Sequence, residues 1–293
     1  MLDGHTIPQL GFGSGTAHYK QDAVKPILMA LRANYTHIDT AQMYDNEDTV
    51  GDAISQSGIP REKLFVTTKV LELAEGETIE DNLKGSLTKL KMDYVDLFLL
   101  HAAIKFDKPG QLEDVWKQME AVKDMGLGRS IGVSNFQAGE LERILKVARY
   151  KPVVNQLEFH PYAYAQLRPV LKLQEEHGIL TESYGGLTPL TKKTDGPVNA
   201  VLVELAAKIG GTQTQVLMKW LDQKGIIAVT TTSKEERLKE YVDVYSLPNL
   251  TQEDIQAIEE AGAKLQYSRL ALYLEAERKK AQEVRDGAQS TSA

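Results

Sequence analysis

Four side chains of different chemistry stand where apolar runs of the sequence end. Asp39 closes THID (36–39), and the phenol of Tyr44 follows five residues later in THIDTAQMYDNE. Lys69 closes KLFVTTK (63–69), and His101 closes YVDLFLLH (94–101). Taken singly, each has an ordinary explanation. A polar residue at a strand end is more often a cap or a loop hydrogen bond than a catalyst, and Asp45 or Asn46 could simply cap the next helix. Together they form a coherent set. A buried lysine is costly unless paired, and Asp39 is the carboxylate one strand away. An ammonium beside a phenol favours the phenolate and lowers the tyrosine pKa, which makes the phenol a usable general acid toward a carbonyl oxygen. A neighbouring histidine can orient that carbonyl through a ring nitrogen. The set contains no strong nucleophile. It suits carbonyl reduction, provided a hydride donor binds nearby.

Such a set needs a scaffold that converges strand ends. Besides the three runs above, strand-like segments are QLGFGSG (9–15), SIGVSN (130–135), VVNQLEF (153–159), GILTESY (178–184) and IIAVTTT (226–232). Most lack strict alternation, as strands buried on both faces do. Between them the apolar spacing turns helical: 22–33 with Pro26 in the first turn, 111–125, 139–148, 198–209 ended by Gly210-Gly211, and 212–223. Eight strands, mostly followed by helices, predict a closed (β/α)8 barrel, with an open doubly wound sheet as the competitor. In such a barrel the C-terminal strand ends carry the active site. No linker or repeat divides residues 1–293, which read as one domain. The barrel spans about 6–262, followed by an extension over 263–293 whose middle is charged and helical and whose last residues look disordered.

The same strand ends offer a cofactor site. VTTTSKEERLKEY (229–241) contains Ser233-x-x-Glu236, the pattern of a capping box, so a helix is predicted to start there. Its free N–H groups would face an anion, with Lys234 and Arg237 adding charge. An exposed, charged helix start is the plainer alternative. Tyr184 could stack on an aromatic ring, and Ser134, Asn135 and Gln156 could hydrogen-bond a carboxamide. The glycine stretch GFGSG (11–15) is not GxGxxG and opens no helix, so it reads as a barrel strand and its exit. His37 and His160 read as structural, and His177 suits a helix end before Gly178.

Composition narrows the field. The 293-residue chain carries a net charge of −7 and no cysteine. That argues against nucleic acid or an anionic membrane as the main partner, and it rules out disulfides, thiolate nucleophiles and cysteine metal sites. No metal spacing, signal peptide or membrane-length apolar run is present, so a cytoplasmic protein is the expectation.

HIDTAQMYDNE, FVTTK, DYVDLFLLH, IGVSNF, PVVNQLEFHPY and VTTTSKEERLKE, in this order over about residues 6–262, resemble the aldo-keto reductases. The resemblance implies a barrel closed at its base by an N-terminal β-hairpin, for which Asp3-Gly4 could supply the turn. It implies Tyr44 as general acid, Lys69 tuning it, Asp39 holding Lys69, and His101 orienting the substrate. It implies an extended NADPH, with NADH possible, and no Rossmann domain. Ser134, Asn135 and Gln156 would hold the carboxamide and Tyr184 would stack on the nicotinamide. Arg237 would contact the 2′-phosphate and Glu240 the adenine, with Gly185, Leu187, Thr231, Thr232, Ser233 and Tyr241 completing the cofactor site. Many members have Lys-Ser where this chain has Thr231-Thr232, and Asn where it has Tyr241. A tryptophan common after the first strand is replaced by the Ala17-His18-Tyr19 region, and Ala102-Ala103 follow His101. The last two changes suggest a roomy pocket touched by His18, Tyr19 and Ala102, which Leu270 to Tyr273 could also line. The wording is similar to fungal members that reduce α-dicarbonyl compounds, keto esters, α-keto amides and conjugated polyketones. Members are frequently monomers. The alternatives are a sugar or alcohol dehydrogenase working oxidatively, a cofactor-sensing subunit without turnover, and an unrelated barrel isomerase using Asp, Lys and His.

Overall fold

The apolar runs become eight short strands: β1 Leu10–Gly13, β2 His37–Asp39, β3 Phe65–Val70, β4 Val95–Leu100, β5 Gly128–Ser134, β6 Val154–Glu158, β7 Leu180–Tyr184 and β8 Ile227–Thr230. In the computed structural model, which describes residues 1–106 and 108–272, each strand pairs in parallel with the next. β1 also pairs β8, so the sheet closes into a barrel. Residues of β2, β3, β4 and β6 are buried throughout, on the inner and the outer face alike. This is why they show no period of two.

Among the described residues the α-helices that follow from the same sequence logic are α1 Val24–Arg32, α2 Glu47–Ser57, α3 Ile79–Leu90, α4 Gln111–Asp124, α5 Ala138–Val147, α6 Pro161–His177, α7 Thr188–Thr191, α8 Val198–Ile209, α9 Gln213–Gln223, α10 Glu235–Val242 and α11 Gln252–Ala263. Thr78, Thr212 and Thr251 start α3, α9 and α11 with reciprocal capping boxes. Gly58, Gly178 and Gly210 end α2, α6 and α8 in the left-handed conformation, where a Cβ would be strained.

There are two apolar cores. The larger lies between strands and helices, around Phe12, Ile38, Phe98, Trp116, Phe159 and Trp220. The smaller fills the lower barrel interior with Phe65, Leu97, Leu99, Val153 and Val154, against which Met1, Ile7 and Leu180 pack. The expected N-terminal hairpin is therefore a different object. Its turn forms, with the Gly4 N–H donating to Met1 O at 3.2 Å. No strand pairing follows, and Met1 and Ile7 plug the barrel base through side chains instead.

Above that plug the interior becomes polar. His37, Asp39, Thr67, Lys69, Gln156 and Glu182 are all buried there. Register explains the layer: Asp39 pairs Thr67, and Gln156 pairs Glu182 across β6 and β7. Gly11 makes room for it. A Cβ at Gly11 would sit 2.8 Å from Nδ1 of His37, so any side chain there would displace the imidazole.

Candidate active site

The phenol reaches the barrel mouth through a short connection. After β2, Gln42–Tyr44 form one 3-10 turn, ended by Asp45 in the left-handed region at φ 53°. Asn46 then ties this loop to the exit of β1, donating from Nδ2 to the carbonyls of Ser14 and His18, both at 2.9 Å. That exit passes close to the phenol: a Cβ at Gly15 would lie 3.0 Å from Cζ of Tyr44. Asn46 is thus the residue before α2, as expected, but its side chain serves tertiary contacts and makes no capping bond.

Lys69 is the hub. Its ammonium donates to Asp39 Oδ1 at 2.7 Å, to the Thr40 carbonyl at 2.9 Å and to the Tyr44 hydroxyl at 3.5 Å. Burial disfavours the lysine charge, but Asp39, Tyr44 and Glu182 outweigh it and hold the pKa above the ordinary lysine value. For Tyr44 the order of effects differs from the sequence expectation. Burial dominates and raises the phenol, Lys69 pulls it down, and Asp39 and Glu182 push it up again, so the net direction is upward. Lys69 does act to acidify Tyr44, against a larger desolvation cost that the sequence does not display.

His101 faces the same point. Its ring meets Tyr44 edge-on at 5.7 Å between centroids. Burial, and then the Lys69 charge, push its pKa down to about 3. At neutral pH it is a neutral imidazole, able to donate one N–H to a carbonyl oxygen without adding charge.

A cleft of about 260 Å³ opens beside these groups. It begins at Gly13, Asp39, Tyr44 and Gln156, runs along the 184–188 segment and Val229–Thr231, and ends at Arg237 and Tyr241. Thr231 Oγ1 is buried with no partner among the described residues. Asn135 takes φ 63°, which asparagine tolerates. Its Nδ2 donates to the His101 carbonyl at 2.9 Å, and its Oδ1 accepts from the Tyr184 hydroxyl at 2.7 Å. That bond fixes the Tyr184 ring as a wall. Ser134 Oγ donates to the Gln156 carbonyl at 2.9 Å. Both donors of the Gln156 amide are already used, on Asp39 Oδ2 and Glu182 Oε2, each at 2.8 Å. Its oxygen is left to receive a carboxamide N–H.

Gly185 and Leu187 also line the cleft. His18 is buried and stacked on Phe12, Tyr19 lies edge-on to Tyr44 at 6.4 Å, and Ala102 is buried beside His101. Three expectations are displaced. The predicted capping box at Ser233 does not form: α10 starts at Glu235 after Lys234, with no side-chain cap, and Thr232 Oγ1 accepts from the Lys234 N–H instead. Ser233 is exposed away from the cleft lining. Glu240 is turned to the start of α9, accepting from Thr212 Oγ1 at 2.5 Å.

Three residues escaped the sequence reading. Glu182 and Glu158 are buried carboxylates inside runs read as apolar, and a charged residue within such a run was the available signal. Arg269 reaches the cleft from the C-terminal segment, for which no sequence spacing gave a sign. Leu270 lies beside it, whereas Tyr273 and the rest of the tail fall outside the described residues. Among the described residues no cluster of His, Asp and Glu could hold a metal, and no helix is long and apolar enough to cross a membrane.

The comparisons with known proteins agree with this geometry. Residues 9–263 match the model of the aldo/keto reductase family. The chain is 40% identical over 269 residues to a Schizosaccharomyces pombe protein named NAD/NADP-dependent indole-3-acetaldehyde reductase, covering 89% of this chain and 94% of that one. It is 36% identical to the Saccharomyces cerevisiae NADPH-dependent alpha-keto amide reductase, covering 92% of each. The Bacillus subtilis glyoxal reductase is 37% identical, over 88% of this chain and 90% of its own. Among solved structures, an aldo/keto reductase from Brucella melitensis superposes with a TM-score of 0.77 at 34% identity, covering 88% of this chain and 96% of that one. The chain belongs to the aldo/keto reductase family.

Proposed function

We propose that this protein is an NADPH-dependent carbonyl reductase in which Tyr44 protonates the carbonyl oxygen. The observation that carries the reading is the buried Asp39–Lys69–Tyr44 chain at the mouth of the cleft, with the neutral His101 ring facing the phenol. When bound, the nicotinamide supplies a hydride to the carbonyl carbon. The protein does the rest. His101 orients the carbonyl, and Tyr44 gives its hydroxyl proton to the oxygen as the alcohol forms. The ammonium of Lys69 stabilises the phenolate that remains until solvent returns the proton. Asp39 keeps Lys69 charged and aimed, since an unpaired ammonium at that depth would be too costly.

The residues fit an extended dinucleotide. The unpartnered Thr231 hydroxyl, with Arg237 at the same end of the cleft, suits a 2′-phosphate. Tyr241, buried at 1% exposure against that end, suits an adenine. Tyr184 and the free oxygen of Gln156 suit a nicotinamide and its carboxamide. NADH is an accessible second cofactor, in keeping with the name of the fission-yeast relative.

Small, activated carbonyls are the substrate class: α-dicarbonyl compounds, keto esters and keto amides. The names of the budding-yeast and Bacillus relatives support this. Ala102 and Ala103, short side chains directly after His101, are consistent with it. The test is a substrate panel of α-keto esters, isatin and glyoxal run with both nicotinamides. Loss of the reduced-cofactor absorbance with NADPH is the expected result. A chain that binds NADPH and turns over none of the panel contradicts the reading.

A further inference from the structure

Glu182 is buried completely, two residues before Tyr184 on β7, and the chemistry above does not use it. Its side chain enters the polar layer beneath the cleft. Oε2 accepts from the Gln156 amide at 2.8 Å, and the other hydrogen of the same amide goes to Asp39 Oδ2, also at 2.8 Å. One amide thus bridges two carboxyl groups. Asp39 continues to Lys69, and Lys69 to the Tyr44 hydroxyl. Glu182 is the far end of a chain of four hydrogen bonds that finishes at the reacting phenol.

We propose that Glu182 is a positioning residue of the reaction: it stands in the barrel as a neutral carboxyl that balances the charge around Lys69 and Tyr44, and its ionisation weakens Tyr44 as an acid. The inference rests on the carbonyl-reductase reading of the same site.

Charge counting supports it. The layer holds two carboxyl groups and one ammonium, and the ammonium is committed to Asp39. A second carboxylate in this volume would be buried without a counter-charge, the situation in which a carboxyl keeps its proton. The other neighbour is His37. Its Nε2 lies 3.6 Å from Glu182 Oε1 and 3.2 Å from Thr67 Oγ1. Burial holds His37 down to about 4, so it stays neutral at neutral pH and supplies no positive charge. Among the described residues Oε1 of Glu182 has no hydrogen-bond partner, which leaves it free to carry the proton. Burial first, and then the Asp39 charge, raise Glu182 to about 8.

The surroundings add nothing that would change the count. β1 and β8 contain no titratable side chain. Asp96 on β4 is held by Arg61 at 2.6 Å, with Arg129 of β5 at 3.7 Å from its other oxygen. Glu158 on β6 is turned to Ser268, His160 and the backbone of the C-terminal segment. Ionised Glu182 would therefore act on Lys69 and Tyr44. A negative charge there favours the ammonium and disfavours the phenolate, so Tyr44 gives up its proton less readily.

The test uses the full chain with NADPH and an α-keto ester. Glu182→Gln keeps the shape and the acceptor for Gln156 but cannot ionise. The wild-type kcat for reduction is expected to fall on the alkaline side with a midpoint near the Glu182 value of about 8. In E182Q the fall near that midpoint should be absent, with the difference from wild type appearing in kcat and not in KM. A variant that keeps the wild-type profile, or loses turnover equally at every pH, overturns the proposal. Infrared difference spectra of wild type between about pH 6 and 10 give a second readout that needs no turnover. A protonated-carboxyl band that disappears on the alkaline side, and is missing in E182Q, is expected; a wild-type chain without it overturns the proposal. Failure of wild type to reduce any carbonyl overturns the reductase reading instead, and the infrared band then decides the protonation of Glu182 alone.

Discussion

Glu158, at the end of β6, accepts a hydrogen bond from the backbone N–H of Leu270 at 2.8 Å across 112 residues of sequence. The same carboxylate accepts from the Arg269 N–H at 3.0 Å and from Ser268 Oγ at 2.8 Å. A strand that also carries Gln156 thereby clamps the segment that brings Arg269 to the cleft.

Removing the clamp should free that segment. Burial alone would raise Glu158, but His160, the Leu270 and Arg269 N–H groups and Ser268 bring it down to about 2. Its folded pKa is depressed, so its contribution is complete above the ordinary value of 4.5 and is lost as pH falls toward 2. Glu158→Ala should cost about 1 kcal/mol by leaving part-buried donors unpaired. The amides of Arg269 and Leu270 should exchange hydrogen much faster in the variant. Unchanged protection of those two amides would contradict the clamp.

Cofactor preference should follow the far end of the cleft. Arg237→Ala is expected to weaken NADPH by about tenfold to a hundredfold, the range of one charge-assisted hydrogen bond, while NADH is nearly unaffected. Fluorescence titration with both nicotinamides checks this. Equal weakening of the two would place Arg237 away from the 2′-phosphate.

Stability should fall on both sides of neutrality, for separate reasons. His37 and His101 are depressed to about 4 and about 3. The unfolded chain protonates first, near 6.5, so their contribution is complete above that value and is lost as pH falls toward the folded values. Each can supply a slope of up to about 1.4 kcal/mol per pH unit. Glu182 is raised, so its contribution is complete below 4.5 and is lost as pH rises through about 8. Urea midpoints measured across this range should show both limbs, and E182Q should flatten the alkaline one. Identical alkaline limbs in the two proteins would contradict the raised Glu182.

The barrel was legible because parallel strands buried on two faces leave continuous apolar runs; six strands lie within those runs, while β3 ends one residue beyond its run and β5 starts two residues before its own. Asp39, Tyr44, Lys69 and His101 were legible because a barrel converges its strand ends. What escaped was set by partners rather than by position. Glu182 and Glu158 sit in LTESY and NQLEF, where only three-dimensional pairing distinguishes a neutral acid from a clamp. Ser233 matched a capping pattern, yet α10 begins after Lys234 because Thr232 takes the local hydrogen bond. Glu240 carried an expected role that Thr212, 28 residues away, draws aside. The net rise of Tyr44 depends on desolvation, which no residue pattern displays.

The most direct measurement is turnover by Tyr44→Phe beside its NADPH binding. The substitution removes the hydroxyl 3.5 Å from Lys69 and leaves the ring against His101. Reduction of an α-keto ester should drop by at least about a hundredfold, the share of a positioned general acid, while the dissociation constant for NADPH stays near that of wild type. A Y44F protein that reduces the ester at the wild-type rate would contradict the assignment of Tyr44 as the acid.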